Sequence, residues 1–134
     1  MRDVLWWNTG FGGFKISIFT PRFQDLPRIR PKYFVKLRKL PCAPLHLLLF
    51  LKLREWDDRQ YSPCPDQLTK VLADAYDIMF LLWTANARYN LNITKQRQYI
   101  TDSFRNDSYM RVTKFALVWQ ESRWLFMSLL RTTL

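Results

Sequence analysis

PDQLTKVLADAYDIMFLLWTANARY, residues 65–89, is the stretch on which the fold turns. Leu68, Val71, Leu72, Ala75, Met79, Leu82 and Trp83 recur at spacings of three and four, the period that gathers side chains on one helical face. Ile78, Phe80 and Leu81 widen that stripe. A helix apolar over so much of its circumference is covered on several sides, so the pattern predicts a central helix from about Pro65 to Tyr89. Asp66 falls in its first turn, where the helix dipole favours negative charge.

Tyr61-Ser62-Pro63-Cys64-Pro65 reads as the turn leading into it. Upstream, Pro44 is suited to a first helical position, and Leu45, Leu48, Leu49, Leu51, Leu53 and Trp56 predict a helix from Pro44 to Asp58. Asp57 and Asp58 oppose the dipole at its end, so fraying is expected there. Downstream, Asn90–Ile93 reads as a connection, and Thr94 as the N-cap of a region helical from Lys95 to about residue 131. That region is either one long helix or two broken within Asp102–Ser108 (DSFRNDS), where short polar side chains compete for backbone hydrogen bonds. Ile100, Phe104, Phe115, Val118, Trp119, Leu125, Phe126 and Leu129 supply its expected buried side.

The fold class expected is therefore mainly α, a small bundle of three to four helices over residues 44–134. Residues 1–43 form an irregular, basic, Pro- and aromatic-rich N-terminal arm. Pro21, Pro27, Pro31, Pro41 and Pro44 interrupt any long helix there, and Phe14–Phe19 (FKISIF) alternates enough for one short strand. A chain of 134 residues, 49% of them hydrophobic, suffices for one domain with a core. The longest aliphatic run, Leu45–Leu51, is interrupted by His46 and is far shorter than the roughly 20 residues that cross a bilayer. No transmembrane segment and no signal peptide are expected, which places the chain inside the cell, in cytoplasm or an organelle matrix.

Charge is unevenly spread. Between Lys15 and Lys39 stand eight cations and one acid, Asp25, a net +7 of the total +10. Lys15, Arg22, Arg28, Arg30, Lys32, Lys36, Arg38 and Lys39 are the candidate phosphate ligands, and such a term is strong but indifferent to sequence. Tyr33 and Phe34, like Phe19 and Phe23, are interleaved with these cations and suited to stacking on unpaired bases. Arginine supplies 13 of the 21 cations, and its guanidinium binds phosphate bidentately. Nucleic acid, RNA first, is the expected partner, together with protein subunits of a larger complex or further copies of the chain. Trp6, Trp7 and Phe14 are candidate anchors on a protein partner.

The chemistries of catalysis lack their parts. His46 is the only histidine, sits in a leucine run, and has no acid or cysteine at ligand spacing, so no metal or cofactor is expected. No nucleophile-elbow pattern surrounds any serine. Asp74 and Asp77 share a helical face at i, i+3, a spacing more often found on a solvated stripe or pairing with Lys70 than in acid–base work. Gly10, Gly12 and Gly13 precede Phe14 and Lys15 rather than the Lys-Ser/Thr end of a phosphate loop. Asn92-Ile93-Thr94 and Asn106-Asp107-Ser108 match the glycosylation pattern without a signal peptide to support it. Cys42 and Cys64, flanking the first helix, are too few for a disulfide scaffold; whether they are bonded to each other stays open. The expected function is a non-enzymatic, RNA-associated accessory or structural subunit. The rivals are a small viral or phage accessory protein acting on a host protein, and a peripheral protein lying on anionic lipid.

One resemblance bears on this reading. Leu81-Leu82-Trp83-Thr84-Ala85-Asn86 closes a helix before a polar, basic loop, and a later helix contains Met110-Arg111-Val112-Thr113-Lys114-Phe115. This order, within residues 46–126, resembles the four-helix-bundle accessory proteins of diversity-generating retroelements. The resemblance implies a basic bundle that assembles as a ring and associates with reverse transcriptase and nucleic acid. The Pro-rich basic N-terminus has no counterpart in that pattern, and the chain ends where the pattern's last helix would begin.

Overall fold

In the computed structural model, which describes residues 2–8, 13–19, 30, 32, 35–37, 39–88 and 100–130, two β-hairpins precede the helices. Strand β1 (Arg2–Asn8) pairs antiparallel with β2 (Gly13–Phe19), and β3 (Val35–Leu37) pairs with β4 (Leu40–Cys42). Then follow α1 (Leu45–Gln60), the single turn α2 (Pro65–Leu68), α3 (Val71–Arg88), α4 (Asp102–Val118) and α5 (Ser122–Leu130). The protein is a mainly α bundle, as the periodicity predicts. Its N-terminal strand content exceeds the one short strand expected, because Arg2–Asn8, with Val4, Trp6 and Trp7, supplies a partner for Gly13–Phe19.

Helix α3 packs against α1 and α5, while α4 packs against both α1 and α5. Leu53, Ile78, Leu82, Val112, Phe115, Leu125 and Phe126 are wholly buried between them. Phe115 is a hub: its ring meets Trp56 edge-on at 4.9 Å, stacks with Trp119 at 6.1 Å and meets Phe126 edge-on at 6.1 Å. Such aromatic pairs add roughly 0.5–1.5 kcal/mol each beyond the area they bury.

The structure moves three element boundaries. The central helix is interrupted at Thr69–Lys70, where the Thr69 hydroxyl donates to the Asp66 carbonyl at 2.9 Å and Lys70 N–H reaches back three residues to Gln67. This local bonding competes with the regular ladder, and α3 starts afresh at Val71. DSFRNDS forms the first two turns of a helix that starts at Asp102. Thr101 is its N-cap, accepting from Phe104 N–H at 3.3 Å, and Ser108 turns its hydroxyl onto the Phe104 carbonyl at 2.7 Å. A break not expected from the sequence falls at Trp119–Glu121, where the Trp119 carbonyl accepts from both the N–H and the hydroxyl of Ser122. Thr94 and residues 95–99 lie outside the described residues. Helix α1 runs two residues past Asp58, because Asp57 is buried against cations of α4 and does not fray. Val118, expected to be buried, is exposed, as are Leu68, Leu72 and Trp83 of the central stripe.

Candidate nucleic-acid interface

The hairpin β1–β2 brings together residues that the sequence presents apart. In its register Trp6 stands opposite Lys15, and Trp7 opposite Phe14. A candidate phosphate ligand and the three candidate aromatic anchors thus share one two-stranded ribbon. The readable signal is a hairpin, two β-prone runs flanking a glycine-rich connection, of which the FKISIF alternation marks only the second. Further along, Arg30, Lys32, Lys36 and Lys39 are all exposed. Arg22, Arg28, Tyr33, Phe34 and Arg38 lie outside the described residues.

Lys39 occupies a costly place. Only Arg38 and Lys39 separate β3 from β4, and Lys39 has φ 73°, the left-handed region. Two-residue hairpin loops usually meet this demand with Gly or Asn, because a Cβ there collides with backbone oxygen at a cost of about 1–2 kcal/mol. The chain places a lysine at this bend, with Lys36 on the adjoining strand opposite Pro41.

The bundle treats its charges differently. Lys52 lies 3.5 Å from Glu55, 3.8 Å from Asp74 and 3.1 Å from Asp77. Burial works against its ammonium, yet the hydrogen bond to Asp77 and the charges of Glu55, Asp77 and Asp74 together raise its pKa above the ordinary value. Arg59 bridges Glu55 and Asp74 and donates to Gln67 at 3.2 Å, tying α1 to α3 and α2. Asp74 is nevertheless raised above the usual carboxylate range, because its burial outweighs Arg59 and Lys52. On the opposite side Asp57 accepts from Lys114 Nζ at 3.1 and 3.3 Å and lies 3.5 Å from Arg111 Nε. Lys114 also sits 5.7 Å from the centre of the Tyr61 ring.

These contacts reassign the carboxylates singled out in the sequence. Asp74 is buried and held by Arg59, while Asp77 is exposed and bound to Lys52. Their partners are thus Arg59 and Lys52 rather than the Lys70 that the spacing suggests. His46 is buried in the first turn of α1, and desolvation lowers its pKa from 6.5 to about 4. The imidazole is therefore neutral at pH 7. Cys42 at the end of β4 is half-buried, Cys64 before α2 is exposed, and both are free thiols. Among the described residues no three of His, Cys, Asp and Glu gather as a metal-binding group. No described helix is long and apolar enough to cross a membrane.

A second surface was missed by periodicity. Leu72, Tyr76, Phe80 and Trp83 run along the outer side of α3, each at least half exposed. Sequence spacing alone assigned this helix to the centre and could not tell a face covered within the chain from one left open. A shallow groove of about 460 Å³ lies elsewhere, lined by Thr113, Ala116, Leu117, Gln120 and Arg123 near the α4–α5 corner. No protein family, curated protein or solved structure matches this chain.

Proposed function

We propose that this chain is a non-enzymatic, RNA-associated accessory or structural subunit that holds the phosphate backbone through residues 15–39. One observation carries the reading: the segregation of charge. The bundle sets Asp57, Asp74, Asp77 and Glu55 against its own cations, whereas the stretch from Lys15 to Lys39 has eight cations and only Asp25. Four of those eight, Arg30, Lys32, Lys36 and Lys39, stand exposed to solvent. A net +7 within 25 residues repels itself, and a polyanion relieves that repulsion by exchanging its counterions for these side chains. RNA is preferred to duplex DNA because aromatic residues alternate with the cations, and unpaired bases offer faces on which to stack. The resemblance to accessory proteins of diversity-generating retroelements supports the same partner class.

The test is a salt series of single-stranded RNA binding by the full chain and by a variant with Arg30, Lys32, Lys36 and Lys39 all changed to Gln. At about 0.7 counterions per phosphate contact, losing four contacts flattens the log–log salt slope by about 3. An unchanged slope, or no binding by the full chain at low salt, rejects the reading.

A further inference from the structure

We propose that the outer face of α3, with Trp124 of α5, is the surface through which two copies of this chain associate. This inference is independent of the RNA reading.

Helix α3 buries one side completely: Ala75, Ile78, Leu82 and Ala85 are no more than 1% exposed. At 100° per residue, Leu72, Tyr76, Phe80 and Trp83 fall on one contiguous face well away from that side. They are 52%, 60%, 70% and 52% exposed. A helix apolar on both sides is expected to be covered on both. The open face is already ordered: Trp83 meets Trp124 edge-on at 5.3 Å, and Tyr76 meets Trp119 at 5.8 Å. Side chains fixed in this way lose little further freedom on docking.

Area and charge select the occupant. With roughly 150–250 Å² per aromatic side chain, Tyr76, Phe80, Trp83 and Trp124 leave about 450 Å² open, and Leu72 extends it. A standard interface buries about 800 Å² per partner, of which homodimers make about 65% apolar, or about 520 Å². The patch matches that apolar share. None of its five side chains is charged, on a chain of net +10 that would otherwise seek acidic partners. A two-fold contact requires a surface complementary to itself, and an uncharged one opposes no like charges. With the helices antiparallel and the axis near Ile78, Tyr76 of one copy meets Phe80 of the other.

Sedimentation and light scattering of the full chain over a concentration series, at low and high salt, test this proposal. The expected species has twice the 16.3 kDa chain mass, and its dissociation constant is unchanged or lower at high salt, opposite to RNA binding. Phe80→Glu and Tyr76→Lys each weaken association at least 30-fold, with folding checked by circular dichroism. Leu117→Glu, on an exposed residue outside this face, leaves association unchanged. A full chain that stays monomeric to millimolar concentration overturns the proposal. So does a dimer that survives both variants in folded form. Vesicle flotation by a monomeric wild type, lost in Phe80→Glu, also overturns it and reassigns the face to lipid.

Discussion

Residues 45–130 and residues 15–39 are both rich in cations and dispose of them in opposite ways. In the helical body, Lys52 and Arg59 join α1 to α3 through Glu55, Asp74 and Asp77, and Lys114 joins α4 to α1 through Asp57. In the basic segment one acid accompanies eight cations, of which Arg30, Lys32, Lys36 and Lys39 face solvent. A charge placed between helices contributes to stability, because removing its partner strands an ion away from water. A charge left in solvent contributes almost nothing to stability and keeps its full value for a ligand. Perturbing the body should therefore be read in unfolding experiments, and perturbing the segment in binding experiments.

The largest expected effect lies at the aromatic hub. Phe115→Ala removes the ring shared by Trp56, Trp119 and Phe126 and should cost about 3–5 kcal/mol in urea unfolding. While the variant stays folded, its salt slope for RNA should equal that of the wild type. A changed slope would break the division between the two regions.

Next comes His46. Its folded pKa of about 4 lies below the unfolded 6.5, so the unfolded chain takes up the proton first. Stability is fully present above pH 6.5 and falls as pH drops through the window from 6.5 to 4. At 1.36 kcal/mol per pH unit, about 2 kcal/mol should be lost between pH 7 and 5, before most carboxylates titrate. His46→Leu should remove that loss, which unfolding midpoints at the two pH values will show. An equal loss in the variant would assign the pH sensitivity to other groups.

What the sequence discloses follows the same division. The three-and-four spacing of Ala75, Ile78, Leu82 and Ala85 locates α3 because helical period and burial coincide there. The same spacing in Leu72, Tyr76, Phe80 and Trp83 says only that this face is apolar, and whether the chain covers it depends on where α5 lies. Asp102–Ser108 is ambiguous in sequence because Asp, Ser and Asn favour both caps and breaks. Thr101, one residue upstream, fixes the start of α4 by capping Phe104 N–H. The clustering of cations is legible directly, since charge needs no fold to be counted. That Trp6 stands opposite Lys15 is not, because a register is fixed by strand pairing rather than composition.

Charge itself gives a smaller effect. Asp57→Ala deprives Lys114 and Arg111 of their carboxylate and should cost roughly 1–3 kcal/mol, nearer the lower figure because Lys114 is partly in solvent. Arg30→Gln, on an exposed residue of the basic segment, should change stability by less than about 0.5 kcal/mol. Equal unfolding penalties in the two variants would mean that the segment's charges also hold the fold.

The smallest effect sharpens the comparison most, because it separates the two regions' currencies at one residue. Lys39 bears a left-handed φ of 73° and is also a candidate phosphate ligand. Glycine at that position relieves a cost of about 1–2 kcal/mol but adds about 0.5–1 kcal/mol of unfolded-state entropy. Lys39→Gly should thus leave stability unchanged or raise it by up to about 1.5 kcal/mol. If the side chain holds a phosphate, RNA affinity falls in the same variant, and the log–log salt slope flattens by about 0.7. Lys39→Asn, which also tolerates this backbone, should behave alike. A gain in stability together with wild-type affinity would leave Lys39 as a strained turn residue and remove it from the interface.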